Sequence, residues 1–504
     1  MSSADACEGK DRRRRSSVAS GCELGTVSEI ETSACRSRHK SAGLARLRSR
    51  RLSDPEIHDF PRLESAAMGH TGRARRECPV VLPFADELGW FSVAARRDKK
   101  SRMGVNPLVT TSPRRPVVPR GEAIQCLQAW NRWLRTVGYN ADALRERFGV
   151  RHADELHVTD RLSWSIRLRA QEDSLAIALR LFWLEDAVPR ALAEAHAGSF
   201  VAPALRLGLL QRRGQGVESC LRVEPVDELL IWADRRFESP LPSRLVQHGG
   251  GPVYPPSFDS LLLAELLPVA GGQEVLDLCT GSGVLALIAA RRGAKVWAVD
   301  VDPRAVELAS LNAAANRLRL VVIEGNLYAP VGSRSFDVIV ANPPFVCSPY
   351  NRGPRYHSGG PTGDAVLARV VRGWRRHLRF QGRALTIGHV GLREGESLLE
   401  RAQRWLRGFD GRCLLVELDR SDAVAYATTQ AAFALAEGLE SYEREVQRWL
   451  RHLRRHRVHE VVAFLLVAER SGTAAVEMAS AKPVVVPVPL NRSATQVVQE
   501  WWAT

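Results

Sequence analysis

The sequence predicts an α/β protein whose main domain is a doubly wound sheet with helices on both faces. Two observations predict it. Between residues 246 and 470, short apolar runs rich in β-branched residues alternate with longer segments of helical spacing, a pattern typical of parallel strands joined by crossover helices. The first of these strands leads into a glycine turn that opens a helix, and such a turn lets a nucleotide-type ligand approach the backbone. We therefore expect a nucleotide-type pocket at this turn.

The first 120 residues differ in composition from the rest of the chain. The 504 residues carry a net charge of +15. Residues 1–120 contain 24 Lys and Arg against 14 Asp and Glu, a balance of +10, which leaves +5 for the remaining residues. Because this segment has no periodic apolar pattern, we predict a disordered, Arg-rich tail. Met103 lies just ahead of the patterned part, and an alternative is that the native chain starts there.

Cysteine usage and apolar runs limit the class of protein. The nine cysteines are scattered and include no C-x-x-C pair, so we predict neither a disulfide framework nor a metal site. The sequence has no run of about twenty apolar residues, the length that spans a membrane. It also lacks the apolar stretch of a signal peptide. We expect a cytoplasmic protein without a membrane partner; the sequence does not indicate its oligomeric state.

Residues 121–245 are predicted to form a mostly helical domain. Apolar residues recur every three or four positions in its first half, and a basic turn near residue 213 precedes two short apolar runs. Helices followed by a short hairpin are typical of a winged-helix-like recognition domain; the alternative is a domain that only packs against its neighbour. The predicted helices are 123–134, 141–148 and 174–184, and the predicted strands are 219–223 and 229–233.

The predicted ligand site begins at residue 274. A strand over 275–278 is followed by Gly281-Ser282-Gly283 and a helix over 284–292. Glycine tolerates left-handed backbone conformations and lets a ligand approach closely. The next strand closes on Asp300, and an acidic side chain at that point can accept hydrogen bonds from both ribose hydroxyls. This much also satisfies the dinucleotide fingerprint G-x-G-x-x-A, but Asp277 inside the strand end and the motif Asn342-Pro343-Pro344-Phe345 downstream favour another cofactor.

The stretch from 274 to 345 resembles the class I S-adenosylmethionine (SAM) dependent methyltransferases, in the branch with an Asn-Pro-Pro-aromatic motif. That branch includes HemK-type release-factor glutamine methyltransferases and rRNA guanine and adenine methyltransferases. The resemblance implies a seven-stranded Rossmann-like methyltransferase sheet over residues 246–470, SAM as the cofactor and methyl transfer to nitrogen. It extends to the segment 253–260, which would cover the cofactor, and to the Gly-rich segment 358–364.

The resemblance assigns cofactor contacts residue by residue. Asp277 and the glycine turn would lie along the methionine part of SAM, and Asp300 would bind the ribose. Asn326 stands where the family usually has an Asp that accepts from the adenine amino group, and Cys279 stands where many members have Gly. The full set of cofactor-binding residues implied is Tyr254, Asp277, Thr280, Gly281, Gly283, Asp300, Asn326, Leu327 and Asn342.

The Asn-Pro-Pro-Phe motif suits methylation of a planar nitrogen. The lone pair of an amide or exocyclic amine is delocalised, so this nitrogen is a poor nucleophile. If the Asn342 side-chain oxygen and the Pro343 carbonyl both accept hydrogen bonds from the NH₂ group, they localise electron density on it. Pro343 and Pro344 fix their φ angles and hold these acceptors rigidly, and the Phe345 ring could stack on a flat substrate. Catalysis would then come mainly from positioning. We regard His357 and His389 as structural and Cys347 as inert.

Elements after the motif complete the α/β pattern. Predicted helices cover 365–378, 396–406 and 432–453, and predicted strands cover 383–388, 413–418 and 461–468. Residues 471–504 carry Pro and Val without a period, and we predict a loose tail.

Two substrates remain open. Phe345 and the arginines on the predicted helices 365–378 and 432–453 favour an RNA base, which would have to be unpaired or flipped. The Tyr-Pro-Pro-Ser and Gly-Gly-Pro-Thr-Gly segments resemble the glutamine-methylating branch and favour a translation-related protein. We favour the nucleic acid by a small margin. A third hypothesis is a non-catalytic SAM-binding factor that associates with nucleic acid.

Overall fold

The computed structural model describes residues 121–150, 158–236, 252–350, 357–472, 475–480 and 493–503. The predicted tail over 1–120 and the end of the predicted helical domain, 237–245, lie outside these residues. The described chain contains a helical domain followed by a large sheet with helices on both faces, which confirms the predicted fold class.

The first domain combines six helices with short strands. Apolar side chains of its helices meet around an aromatic core, in which the helix Ser174–Phe182 is buried on all sides. Trp130 and Phe182 pack edge to face at 5.1 Å, and Phe182 packs in the same way against Trp232 at 5.5 Å. The elements are α1 Gly121–Thr136, α2 Ala141–Phe148, α3 Val158–Arg169, α4 Ser174–Phe182, β1 Val188–Pro189, α5 Arg190–Ala197, α6 Val201–Leu207, β2 Leu210–Arg213, β3 Gly216–Ser219, β4 Arg222–Val226 and β5 Leu229–Ala233.

Its strands form two small sheets. β1, β3 and β2 are antiparallel in that order, and β4 pairs with β5 in a separate hairpin. The single strand predicted over 219–223 is therefore wrong, since residues 220 and 221 connect β3 to β4. Both segments mix apolar and polar residues, and the break between them follows from their pairing with different partners, which local sequence does not show.

The second domain is built on an eight-stranded sheet in the order β13-β11-β12-β10-β9-β6-β7-β8. Five neighbours, β10 to β8, run parallel, while β12 is antiparallel to β10 and β11. The seven strands predicted are present, and β13 adds an eighth beside β11. The strands are β6 Glu274–Leu278, β7 Lys295–Asp300, β8 Val321–Glu324, β9 Phe336–Ala341, β10 Leu378–Leu392, β11 Arg412–Asp422, β12 Glu460–Glu469 and β13 Ala475–Ser480.

Helices cover both faces of this sheet. Apolar side chains of α7, α8, α9 and α14 share one core with the strands, and those of α10 and α11 share the other. Between β11 and β12 the chain inserts α12 and α13, which pack with residues 345–347 in a smaller core. The helices are α7 Phe258–Leu266, α8 Val284–Arg291, α9 Pro303–Ala315, α10 Ala365–His377, α11 Leu398–Trp405, α12 Ala423–Ala431, α13 Leu439–Arg455 and α14 Ala494–Ala503.

The carboxyl-terminal segment differs from the loose tail predicted over 471–504. It supplies β13, and α14 buries Val498 and Trp501 against the sheet. The guanidinium of Arg412 lies 4.5 Å from the ring centroid of Trp501, and that of Arg383 lies 4.5 Å from the ring centroid of Trp502. These contacts join residues about 90 or more positions apart, so no local sequence pattern predicts them.

Candidate active site

The predicted cofactor residues meet at one edge of the sheet. Asp277 lies in β6, Asp300 ends β7, and Asn342 directly follows β9. β7, β6 and β9 are parallel neighbours, so their carboxyl ends lie side by side, the place where ligands bind in open α/β sheets. The structure thus brings together residues that are 65 positions apart from Asp277 to Asn342.

Asp277 is a buried carboxylate with one unused oxygen. Its Oδ2 accepts hydrogen bonds from Thr280 Oγ1 at 2.5 Å and from the Ala286 amide at 3.1 Å. Its Oδ1 is buried and has no partner within the described part of the chain. Burial raises the pKa of Asp277 to about 7. A buried oxygen of this kind costs free energy unless a donor or cation reaches it.

The glycine turn is shaped by Asp300 and by the helix behind it. The Gly281 amide donates to Asp300 Oδ2 at 2.9 Å, and the Asp302 amide donates to Asp300 Oδ1 at 2.9 Å. Gly281 and Gly283 have φ angles of +55° and +86°. A Cβ on Gly281 would meet open space, whereas a Cβ on Gly283 would lie 3.1 Å from the Ala309 Cβ in α9. Gly283 therefore serves helix packing, and Gly281 leaves room on the ligand side.

Asn326 lies at the rim of the site. It follows β8, is exposed, and its Oδ1 accepts a hydrogen bond from Arg369 Nη2 at 3.1 Å. The next residue, Leu327, is buried with a φ angle of +51°. The acceptor that the resemblance assigns to adenine thus already faces a guanidinium from α10. Arg369 is one of the arginines on the predicted helix 365–378, and its contact with Asn326 was not predicted from the sequence. Nearby, burial raises the pKa of Cys279 well above its usual value, so its thiol stays protonated.

Asn342 presents a buried acceptor. Its Nδ2 donates to Ser260 Oγ at 3.0 Å, and this bond fixes the orientation of the amide. Its Oδ1 is buried and accepts no hydrogen bond from the described residues. Ser260 belongs to α7, which follows the segment 253–257. Sequence reasoning did not assign Ser260, although the segment 253–260 was singled out as a cofactor cover, and Tyr254 lies half-buried in it. Ser257 occupies the N-cap position of α7 without a side-chain cap bond.

The rest of the motif is packed into the protein. Pro343 is buried and Pro344 half-buried. Phe345 is 8% exposed, and its ring centroid lies 4.4 Å from that of His389. The structure therefore does not support the expectation that this ring stacks on a flat substrate. It extends the rigid support of Asn342 into the core.

The Gly-rich segment forms the wall behind the motif. Val346 and Ser358 form a parallel β-bridge, in which the Val346 amide donates to His357 O at 3.0 Å and the Gly359 amide to Val346 O at 3.0 Å. A Cβ on Gly359 would lie 2.7 Å from the Phe345 Cα. These positions need glycine because two backbones touch there.

The inserted helices close the same wall from the other side. The Cys347 amide donates to the Tyr426 hydroxyl of α12 at 3.1 Å. His452 Nε2 of α13 lies 3.2 Å from Pro361 O. These contacts were missed in the sequence, because the insertion carries no motif.

The two histidines near the motif are neutral. Burial lowers the pKa of both His357 and His389 to about 4, so each is a weak base at neutral pH. Burial raises the pKa of Cys347 to about 12, which agrees with an inert thiol. Within the described residues, no group of three His, Cys, Asp or Glu could hold a metal ion, and no helix is long and apolar enough to cross a membrane.

The residues present fit SAM. Asp277 Oδ1 is a buried acceptor without a protein donor in the described chain, and Asn342 Oδ1 is a second such acceptor, left for the substrate. The turn at Gly281 leaves open space beside them, and Asp300 stands at the end of the second strand. Asp277, Thr280 and Gly281 would hold the methionine part, and Asp300 the ribose.

Two segments of the chain match known protein families. Residues 257–404 match the methyltransferase small domain family, and residues 136–219 match a domain of unknown function, DUF7059. A ribosomal protein uL3 glutamine methyltransferase from Bradyrhizobium diazoefficiens is 38% identical over 22% of this chain and 39% of the relative. A release factor glutamine methyltransferase from Geobacter sulfurreducens is 40% identical over 18% of this chain and 34% of the relative.

Another relative acts on RNA by name. A ribosomal RNA small subunit methyltransferase C from Pectobacterium atrosepticum is 34% identical over 26% of this chain and 35% of the relative. The chain thus spans less than half the length of these three relatives. Among solved structures, a methyltransferase from Pyrococcus furiosus superposes with a TM-score of 0.26 and 17% identity, over 42% of this chain and 82% of that one. On its family match and relatives, the chain contains a SAM-dependent methyltransferase domain that matches the methyltransferase small domain family, which confirms the resemblance and the predicted cofactor.

Proposed function

We propose that this protein is a SAM-dependent N-methyltransferase that modifies the side-chain amide nitrogen of a glutamine in a translation-related protein. The observation that carries the proposal is the amide of Asn342, whose Nδ2 is held by Ser260 and whose buried Oδ1 is open to a donor. A buried acceptor without a partner favours a substrate group that brings N–H bonds.

The chain's own residues act by binding and aiming. Asn342 Oδ1 accepts a hydrogen bond from the NH₂ of the substrate, which localises the nitrogen lone pair and fixes its direction. Pro343 and Pro344 limit backbone movement at this point, and the packing of Phe345 on His389 anchors the end of the motif. When bound, SAM supplies an electrophilic methyl group on a sulfonium. Holding the nitrogen in line with that methyl can lower the barrier by several kcal/mol, roughly 7–11 in the best model systems.

Two observations favour glutamine over a nucleic-acid base. Phe345 is buried against His389, so its ring is not available to stack on a base. The relatives named glutamine methyltransferases include enzymes of ribosomal protein uL3 and of release factors. The preference for nucleic acid drawn from the sequence is therefore reversed here.

A nucleic-acid substrate is the second candidate, and the arginines of α13 favour it. Arg451, Arg454 and Arg455 are exposed and have no carboxylate partner among the described residues. Like charges three or four positions apart destabilise a helix by about 0.2–0.5 kcal/mol per pair, and phosphate groups would relieve this repulsion. α13 contacts the wall of the site through His452 and Pro361 and packs with residues 345–347, so the helix that carries these arginines lies beside the motif. The relative that is named a ribosomal RNA methyltransferase agrees with this candidate.

The first experiment labels the substrate. Purified protein is incubated with methyl-labelled SAM and a lysate of a strain that lacks the protein, and the products are divided between protease and RNase. We expect label that protease releases, and Asn342→Ala should abolish it. RNase-sensitive label would overturn the glutamine proposal in favour of the second candidate. If wild-type protein binds SAM and labels nothing, catalysis itself is contradicted and the non-catalytic hypothesis is favoured.

The arginine face of α13 provides a second discrimination. One variant changes Arg451, Arg454 and Arg455 of α13 to Ala. The control variant changes Arg372, Arg375 and Arg376 of α10 to Ala. The latter three are also exposed, but they occupy the last turns of α10. Because α10 runs antiparallel to the strands it connects, those turns lie at the opposite edge of the sheet from the motif. For a protein substrate, neither variant should change labelling by more than about threefold. A steep, salt-dependent loss confined to the α13 variant would indicate a nucleic-acid substrate.

A further inference from the structure

We infer that strand β5 of the helical domain holds the SAM pocket in its binding shape, and that Asn312 is the positioning residue that connects the two. This inference rests on SAM as the cofactor and is independent of which substrate is methylated.

Asn312 of α9 and Asn316, which directly follows that helix, both bond to the backbone of β5. Asn312 Oδ1 accepts from the Trp232 amide at 2.8 Å, and Asn312 Nδ2 donates to Trp232 O at 2.8 Å. One turn later, Asn316 Oδ1 accepts from the Leu230 amide at 3.1 Å, and Asn316 Nδ2 donates to Leu230 O at 2.9 Å. A helix face thus pairs with alternate residues of a strand as a neighbouring strand would. β4 is the strand that pairs with β5 on its other side.

Asn312 also bonds to the glycine turn, whereas the other bonds of Asn316 go to Asn312 O and Arg135. Asn312 Nδ2 donates to Ser282 O at 2.8 Å, inside the glycine turn. Asn312 is fully buried, so each hydrogen of its amide has a partner only when both β5 and the turn are in place. When a buried amide loses one partner, the unsatisfied N–H lowers the stability of the folded protein. The position of Ser282, and with it the turn at Gly281 and Gly283, is therefore coupled to the seating of β5.

The residue that follows β5 also holds the start of the segment 253–260, which the resemblance assigns to covering the cofactor. Asp234, which follows β5, accepts from the Val253 amide at 2.7 Å through Oδ2, and its own amide donates to Val253 O at 3.1 Å. Its carboxylate also forms a buried ion pair with Arg304 of α9. Val253 precedes Tyr254 and the segment that leads to α7, where Ser260 holds Asn342. Residues 232 and 234 thus tie down both the glycine turn and the cover segment.

Asn316 supplies a matched control for simple domain docking. It bonds to β5 with the same two-bond geometry as Asn312 but has no bond to the glycine turn. If the asparagines only join two domains, Asn312→Ala and Asn316→Ala should affect SAM binding equally. If Asn312 positions the turn, only Asn312→Ala should weaken SAM binding.

The test measures SAM affinity of the full-length protein by titration calorimetry, with thermal unfolding recorded in parallel. We expect Asn312→Ala to weaken SAM binding at least tenfold and Asn316→Ala to change it less than threefold, while both lower the unfolding midpoint. Equal affinities in the two variants would overturn the inference. Wild-type protein that fails to bind SAM would instead refute the cofactor assignment that the proposed function shares.

A second measurement uses the wild-type protein in case Asn312→Ala does not fold. Coupling is reciprocal, so SAM binding should slow amide hydrogen exchange in β5. We expect a peptide that contains Trp232 to gain protection on addition of SAM, at least threefold in exchange rate. A peptide from α3, which packs against α4 and not against β5, should not change. No added protection in β5 would refute the inference.

Discussion

The ring of Phe345 lies against the imidazole of His389, with centroids 4.4 Å apart and planes inclined by 37°. Phe345 ends the motif after β9, and His389 lies in β10, the neighbouring strand. The contact makes the motif continuous with the sheet, so Asn342 projects from a support that has little freedom to move. It also places a titratable group directly under the site, with a pKa that burial lowers to about 4.

Acid should weaken the fold through this contact. The unfolded chain binds a proton at His389 below pH 6.5, whereas the folded protein binds it only near pH 4. Between these values the unfolded state holds more protons, so the free energy of unfolding should fall as the pH drops. At pH 4.5 the loss amounts to about 2 kcal/mol for one such group. Urea unfolding at pH 7 and pH 4.5 measures it.

His389→Leu is the control for this assignment. Leucine does not titrate, so the variant should show a smaller loss of stability between pH 7 and pH 4.5 than the wild type, whatever its stability at pH 7. His357, with a similarly lowered pKa, contributes to the remaining slope. If both proteins lose the same free energy, His389 does not control the acid response.

Asn342→Ala should remove turnover and leave SAM binding intact. The substitution deletes the buried Oδ1 that we assign to the substrate NH₂, and loss of one preorganised hydrogen-bonding group commonly costs about 10²–10³ in kcat. Single-turnover methylation gives the rate, and calorimetry gives the SAM affinity. A normal rate in this variant would show that Asn342 is not the substrate contact.

Ser260→Ala should act more weakly at the same step. Ser260 Oγ accepts the hydrogen bond that orients the Asn342 amide but does not itself meet the reacting nitrogen. We expect about a fivefold lower kcat, the scale of one lost neutral hydrogen bond of about 1 kcal/mol. Ser260→Thr, which keeps a hydroxyl, should recover part of the rate. A Thr variant as slow as the Ala variant would indicate that the methyl group, or packing in α7, matters more than the hydrogen bond.

The local part of the site could be read from the sequence. Asp277, Gly281, Gly283 and Asp300 belong to one strand-turn-helix-strand unit whose spacing depends only on neighbouring residues. The motif at Asn342 follows a strand of clear apolar pattern. Parallel order then places these residues at one edge of the sheet without further information.

The remaining contacts depend on how distant segments meet. Ser260 reaches Asn342 across 82 positions, and Arg369 reaches Asn326 across 43. The environment of Phe345 depends on the register of β10 against β9, which no residue pattern near the motif fixes. The prediction of a loose tail over 471–504 is wrong for the same reason, since Trp501 becomes a core residue only through its contacts with Arg412 and the strands of the sheet.

SAM binding should depend on pH through Asp277. Burial raises the pKa of this carboxyl to about 7, and a cationic ligand selects its ionised form. Below pH 7 the carboxyl of Asp277 is mostly protonated and must lose its proton before SAM binds. The affinity for SAM should therefore be about tenfold lower at pH 6 than at pH 8. Calorimetry at both values tests this. Asp277→Asn should bind SAM more weakly at pH 8 and show a flatter profile, and an unchanged slope in that variant would assign the titration to another group.

Gly363→Ala should disrupt the wall behind the motif far more than a comparable change elsewhere. Gly363 has a φ angle of +80°, and a Cβ there would collide with Phe345 O and lie 2.9 Å from His389 O. Gly395 has a φ angle of +72° with open space around it, so Gly395→Ala carries only the backbone penalty, about 1–2 kcal/mol. Because the added methyl of Gly363→Ala meets backbone atoms that cannot rotate away, its loss of stability in urea should be at least 2 kcal/mol larger. Equal losses in the two variants would mean that the segment 358–364 can move away from Phe345 at little cost, and that it does not support the motif.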